Sequence, residues 1–132
     1  REGEPVLGGT IYIAPGARHM EVACEGGKPV IHLTDAPPEN FCRPAADPML
    51  RSMVKVYGGR LLLVVLTGMG ADGRKGAEAI TRAGGTVIAQ DEPSSVVWGM
   101  PGAVATAGLC TEILPLTEIA PTIGKYVMRS AA

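Results

Sequence analysis

The residues best placed to do chemistry in this 132-residue chain form a glycine turn, Gly68-Met69-Gly70-Ala71-Asp72-Gly73, with one carboxylate inside it. The pattern fits GxGxxG between a strand and a helix, and Asp91 and Glu92 follow about twenty residues on, which is the outline of a dinucleotide site. In such a site the backbone N–H groups of the turn face a pyrophosphate. Asp72 opposes that reading, because it sets a negative charge where another would bind. A second chemistry gives Asp72 the work. An acid fixed at the C-terminal end of a parallel strand can hold a histidine in one tautomer and stabilise the imidazolium formed during nucleophilic catalysis. In a third reading Asp72 only caps the helix that starts near Gly73. The spacing leaves all three open.

Partners for such an acid are hard to find in the chain. Its serines are Ser52, Ser94, Ser95 and Ser130, and its histidines are His19 and His32. Ser52 lies in a helical pattern and Ser130 near the terminus. Ser94-Ser95 follows Pro93 in a loop that can border the site. None stands in a nucleophile elbow. His19 follows a Pro-Gly turn and reads as a hydrogen-bonded turn residue. His32 alternates with Ile31 and Leu33 and reads as a solvent-facing position on a hairpin strand.

The elements around the turn follow from glycine and proline punctuation. A strand is expected over 10–14, stopped by Pro15-Gly16. Strands over 20–24 and 29–33 flank Gly26-Gly27, a hairpin signature. Pro37, Pro38, Pro44 and Pro48 make 35–48 an irregular connection. Pro48 opens a helix through residue 57, closed by Gly58-Gly59. Residues 60–67 read as a strand buried on both faces. A helix to residue 83 follows the glycine turn, then a strand over 86–90, a helix over 98–107, a strand over 112–114 and a helix over 117–128 with Pro121 in its first turn. Such alternation predicts an α/β fold: a doubly wound, mostly parallel sheet in a three-layer, Rossmann-like arrangement, with a β-hairpin near the N-terminus.

Composition narrows the function classes. Twelve Lys+Arg against thirteen Asp+Glu give no field to steer the chain to nucleic acid, and one Trp, three Tyr and one Phe are too few for base stacking. No apolar run approaches the ~20 residues of a membrane span, so no membrane insertion is expected. Cys24, Cys42 and Cys110 show no ligand spacing and read as reduced thiols of a cytoplasmic protein. Neither metal nor cofactor is called for. The chain begins at Arg1 within a pattern already under way, and reads as a piece of something longer.

Several segments in register then resemble the protein-glutamate methylesterase (CheB) family. Leu66-Thr67-Gly68-Met69-Gly70-Ala71-Asp72-Gly73 is similar to its signature turn, and Tyr12-Ile13-Ala14-Pro15-Gly16 with His19-Met20 to its early strand and turn. Arg43-Pro44-Ala45-Ala46-Asp47 resembles its Arg-Pro-Ser-x-Asp segment, with Ala45 where Ser is usual. Ala83-Gly84-Gly85, Ile88-Ala89-Gln90-Asp91-Glu92 and Val96-Val97-Trp98-Gly99-Met100-Pro101 complete the series. The resemblance implies a cytoplasmic enzyme of chemotaxis signalling and phosphorelay. It would hydrolyse glutamyl methyl esters on methyl-accepting receptors and also deamidate glutamines. Asp72 falls on the triad acid; Met69, with Gly68 and Gly70, falls on the site lining, where the Met69 N–H would help hold an oxyanion. The family's Gly-x-Ser-x-Gly-Gly and Gln-His-Met-Pro segments do not occur, nor does its receiver domain. Residues 1–132 are therefore expected to be part of a single catalytic domain, inactive alone. Its uncovered sheet edge invites association with another chain.

Overall fold

The computed structural model describes residues 1–131, with side chains through residue 128. Its elements run β1 (His19–Glu25), β2 (Lys28–Thr34), α1 (Ala46–Tyr57), β3 (Leu62–Val65), α2 (Arg74–Arg82), β4 (Thr86–Gln90), α3 (Gly99–Thr106), β5 (Glu112–Leu114) and α4 (Leu116–Ala131). The fold is α/β: a parallel sheet in the order β3-β4-β5, and an antiparallel hairpin of β1 and β2.

The hairpin forms because Gly26 and Gly27 take φ of 58° and 78°, and two consecutive positive φ values make the two-residue turn that matches strand twist. Glu25 thus pairs with Lys28 and His19 with Thr34. Alternation buries Val22 and Ile31, and the hairpin packs on α1. The Val22 N–H donates to Ser52 Oγ at 2.9 Å, and Ser52 donates to the Met49 carbonyl at 2.7 Å. Ser52 is thus a buried tie between hairpin and helix.

β4 is the centre of the larger sheet. Val87 to Gln90 are all buried, as both faces of a middle parallel strand must be. Val87 and Ala89 join Leu50 of α1, Ala77 and Ile80 of α2 and Val104 of α3 in one core cluster. Ile88 and Gln90 point the other way, where α4 packs on β4 with Ile119 buried. Parallel register sets Val64 beside Ile88 and Ala89 beside Ile113. β3 pairs only with β4, and Leu62, Leu63 and Val64 are left half-buried along the other edge.

Three expectations are corrected. Residues 60–67, read as a strand buried on both faces, give β3 only over Leu62–Val65. It is an edge strand with Val65 alone buried, because among the described residues β4 covers one side and no strand the other. Residues 10–14 form no strand: Ile11 and Ile13 are 89% and 85% exposed, and no neighbouring strand takes their backbone groups. The segment is fixed by the Tyr12 hydroxyl, which donates to the Pro5 carbonyl and accepts the Leu7 N–H. Pro121 lies inside α4, past its first turn, because the helix starts at Leu116.

α1 and α2 approach closely at Gly76. A Cβ there would stand 2.5 Å from both Cβ and Cδ1 of Leu50, itself buried in the core. Gly76→Ala is therefore expected to wedge the two helices apart and destabilise the chain by about 1–3 kcal/mol, the usual cost of overpacking. Denaturant unfolding reads this directly, and an unchanged midpoint would show that the helices are not in contact there.

Candidate active site at the glycine turn

Helices α1 and α2 bring their N-termini together, and each needs acceptors for its first N–H groups. At α1 these groups belong to Ala45, Ala46 and Asp47, since Pro48 has none. Ala45 donates to His19 Nδ1 at 3.2 Å. Ala46 donates to Asp72 Oδ2 at 2.6 Å, and Asp47 to Asp72 Oδ1 at 3.1 Å. Asp72 does not cap the helix it precedes; it caps the neighbouring one. The return contact comes from Asp47, whose Oδ1 accepts the N–H groups of Gly73 (3.1 Å) and Gly76 (2.8 Å) at the start of α2. The two aspartates exchange caps, each set at the positive end of the other's helix.

Asn40 closes the network. Its Nδ2 lies 2.9 Å from Asp47 Oδ2 and 2.8 Å from Asp72 Oδ1. Carboxylates only accept, so the amide must present its NH2 to both. Asn40 reaches this place on a tight turn over 39–42, whose central residues Asn40 and Phe41 take φ of 53° and 66°. Glu39 and Cys42 exchange backbone hydrogen bonds across it at 3.0 and 2.9 Å. Glu39 is also gripped by both terminal nitrogens of Arg51 on α1, at 2.9 and 2.6 Å. That two-pronged hydrogen bond lowers the Glu39 carboxyl below its ordinary value and raises the guanidinium above its own.

The turn itself is fixed from the other side. Gly68 donates to the Val97 carbonyl at 3.0 Å and accepts the Met100 N–H at 2.9 Å. Gln90, buried at the end of β4, accepts the Thr67 N–H through Oε1 and donates to the Ser94 carbonyl through Nε2. Gly70 and Gly73 take φ of 84° and 97°, a conformation glycine enters without strain. Met69 is left 80% exposed at the tip, and no acceptor among the described residues receives its N–H. Leu66, Val96 and Val97 are exposed beside it.

No histidine or serine whose side chain is described reaches Asp72. His19 is 1% exposed with both ring nitrogens engaged. Because Nδ1 accepts from Ala45, Nε2 carries the proton and donates to the Pro37 carbonyl at 2.9 Å. It is a structural hydrogen-bonding residue, at the start of β1. His32 is exposed and pairs with Glu2 at 3.2 Å. The Ser94 hydroxyl donates to Asp91 Oδ1 at 2.6 Å and accepts the Leu116 N–H, so its proton is held by a loop carboxylate and its partners include no histidine. The Ser130 side chain lies outside the described residues. A cavity of about 570 Å³ opens at the opposite end of the sheet, by Leu61, Leu62, Thr86 and Tyr126, and brings no acid and base together.

Comparison with known proteins then decides the family. The CheB methylesterase description matches residues 1–123. The chain belongs to the CheB methylesterase family. It is 61% identical, over its whole length, to the "protein-glutamate methylesterase/protein-glutamine glutaminase of group 2 operon" of Rhodospirillum centenum. It is 57% identical over 93% of its length to a protein-glutamate methylesterase/protein-glutamine glutaminase of Caulobacter vibrioides. The chain spans about a third of these relatives, 34% and 36% of their lengths. In structure it is similar to the CheB methylesterase catalytic domain of Thermotoga maritima, with a TM-score of 0.89 and 39% identity. That likeness covers 92% of this chain and 65% of the other.

Asp72, Met69, Gly68 and Gly70 thus sit together on one turn, while Asn40 and Asp47 were not singled out by sequence reasoning. Asp47 had a signal, as the last residue of the Arg43-Pro44-Ala45-Ala46-Asp47 segment. Asn40 had none, because its role depends on a left-handed turn of the irregular connection. The network also corrects the dinucleotide reading. The Gly73 and Gly76 N–H groups that a pyrophosphate would need are already held by Asp47, and two carboxylates occupy its place. A calorimetric titration with NAD is expected to be flat; saturable binding abolished by Gly70→Val would restore that reading.

Proposed function

We propose that residues 1–132 are part of a single methylesterase catalytic domain of a cytoplasmic chemotaxis enzyme, with Asp72 as the acid of a Ser-His-Asp triad. Its substrates are glutamyl methyl esters, and also glutamine amides, of methyl-accepting receptors. The serine and the histidine come from sequence outside these residues. The observation that carries this reading is the way Asp72 is held. Three N–H donors fix the carboxylate, and of its roughly four lone-pair positions one on Oδ2 is left for an imidazole N–H.

The chemistry then follows the general acyl-transfer scheme. The serine oxygen attacks the ester carbonyl while the histidine takes its proton, and Asp72 stabilises the imidazolium. The oxyanion forms beside the turn, where the Met69 N–H is the free donor. Gly68 only shapes the lining, because its own N–H is held by Val97, and Gly70 lets the chain bend there. Collapse expels methanol, which takes the proton from the histidine. Water then attacks the acyl-serine, and the receptor glutamate leaves as a carboxylate. In the isolated piece the half-buried edge of β3 is the surface through which chains associate.

The test is methanol release from methylated receptors by the chain joined to upstream family sequence, beside its Asp72→Ala and Asp72→Asn variants. Loss of the acid is expected to cut turnover by about 10³–10⁴, the scale seen when a triad acid is neutralised. Because Asp72 also caps α1, Asp72→Ala is expected to cost a further ~1 kcal/mol of stability, so melting is followed alongside. Unchanged methanol release in folded Asp72→Ala would remove the proposal.

A further inference from the structure

We infer that Asn40 is a positioning residue for the reaction: it sets which oxygen of Asp72 meets the histidine, and keeps two adjacent carboxylates apart. The inference rests on the esterase reading above. Among the described residues Asn40 is the one side chain hydrogen-bonded to both Asp47 and Asp72, at 2.9 and 2.8 Å, and its two amide hydrogens are both consumed by doing so. On Asp72, Oδ1 accepts from Asn40 and from the Asp47 N–H, which fills it. Oδ2 accepts only from Ala46. The imidazole is therefore assigned to Oδ2, and the Asn40 bond stops the carboxylate from turning Oδ1 toward it.

The same amide separates like charges. Asp47 is 1% exposed and Asp72 half-buried. Without the NH2 group between them, Asp47 Oδ2 would lose a donor and Asp72 would be free to rotate. A buried acceptor stripped of its partner is destabilised, and a catalytic group slightly out of place loses rate steeply. The turn is built to deliver this side chain. Asn tolerates positive φ better than most residues, and the Glu39–Arg51 pair ties the turn to α1.

Two substitutions test the inference in the extended, active chain. Asn40→Gly keeps the positive φ unstrained and removes only the amide. Asn40→Asp keeps the shape but adds a fourth carboxyl to the groups that face it: Asp47 from α1, Asp72 from the turn, and Arg74, Lys75 and Glu78 of α2 around a cavity of about 300 Å³. For Asn40→Gly, kcat is expected to fall by up to about 10²-fold, the scale of a catalytic group displaced by about 1 Å, with KM unchanged. For Asn40→Asp, the deficit relative to the parent is expected to be largest near pH 8. It should shrink as pH falls toward 5, because the new carboxyl, once protonated, again donates an O–H. A merely structural role would not produce that recovery. Full kcat in Asn40→Gly, or a deficit in Asn40→Asp that does not change with pH, would overturn the inference; so would variants that lose activity only in proportion to unfolding. A parent that releases no methanol overturns the esterase reading instead, and the two failures are told apart by that control.

Discussion

Two helix N-termini pointing at one spot create a problem that backbone alone cannot solve. Each end carries N–H groups without intrahelical acceptors and a partial positive charge. Here two carboxylates answer both needs at once, because each helix start supplies the acid that caps the other. Asp47 in the first turn of α1 accepts from Gly73 and Gly76, and Asp72 before α2 accepts from Ala46 and Asp47. The arrangement fixes how α1 and α2 meet, and Gly76 lets them close on Leu50. Asp72 therefore cannot move without loosening the helix pair beneath it.

The sheet supplies the other half of the constraint. β4, buried on both faces, fixes Gln90, and Gln90 holds the end of β3 through the Thr67 N–H. The glycine turn is thus clamped between the helix caps on one side and the loop around Val97 on the other. What remains uncommitted among the described groups is small: the N–H of the exposed Met69 at the tip and one lone pair on Asp72.

Much of this was legible in the sequence where a residue's job is local. The Gly26-Gly27 hairpin, the apolar strand before the glycine turn and the strands at 86–90 and 112–114 all announce themselves through propensity and punctuation. Expectations failed where the outcome depends on a distant neighbour. Residues 10–14 alternate like a strand, yet a strand without a partner has nowhere to place its hydrogen bonds. Asp72 was correctly seen as a possible cap, but for the wrong helix, since sequence distance hides that the N-terminus of α1 lies beside it. Asn40 sits in a proline-rich connection with no periodicity, and only the left-handed turn reveals where its amide points.

The reciprocal capping is tested most directly by a double-mutant cycle on folding stability, with Asp47→Ala, Asp72→Ala and the pair together, read by denaturant unfolding. If the two carboxylates and Asn40 form one unit, the losses will not add; removing the second acid after the first will cost at least about 1 kcal/mol less than removing it alone, within the range of contacting residues. Strict additivity would contradict the exchange of caps, and would leave Asp72 a residue held by the turn alone.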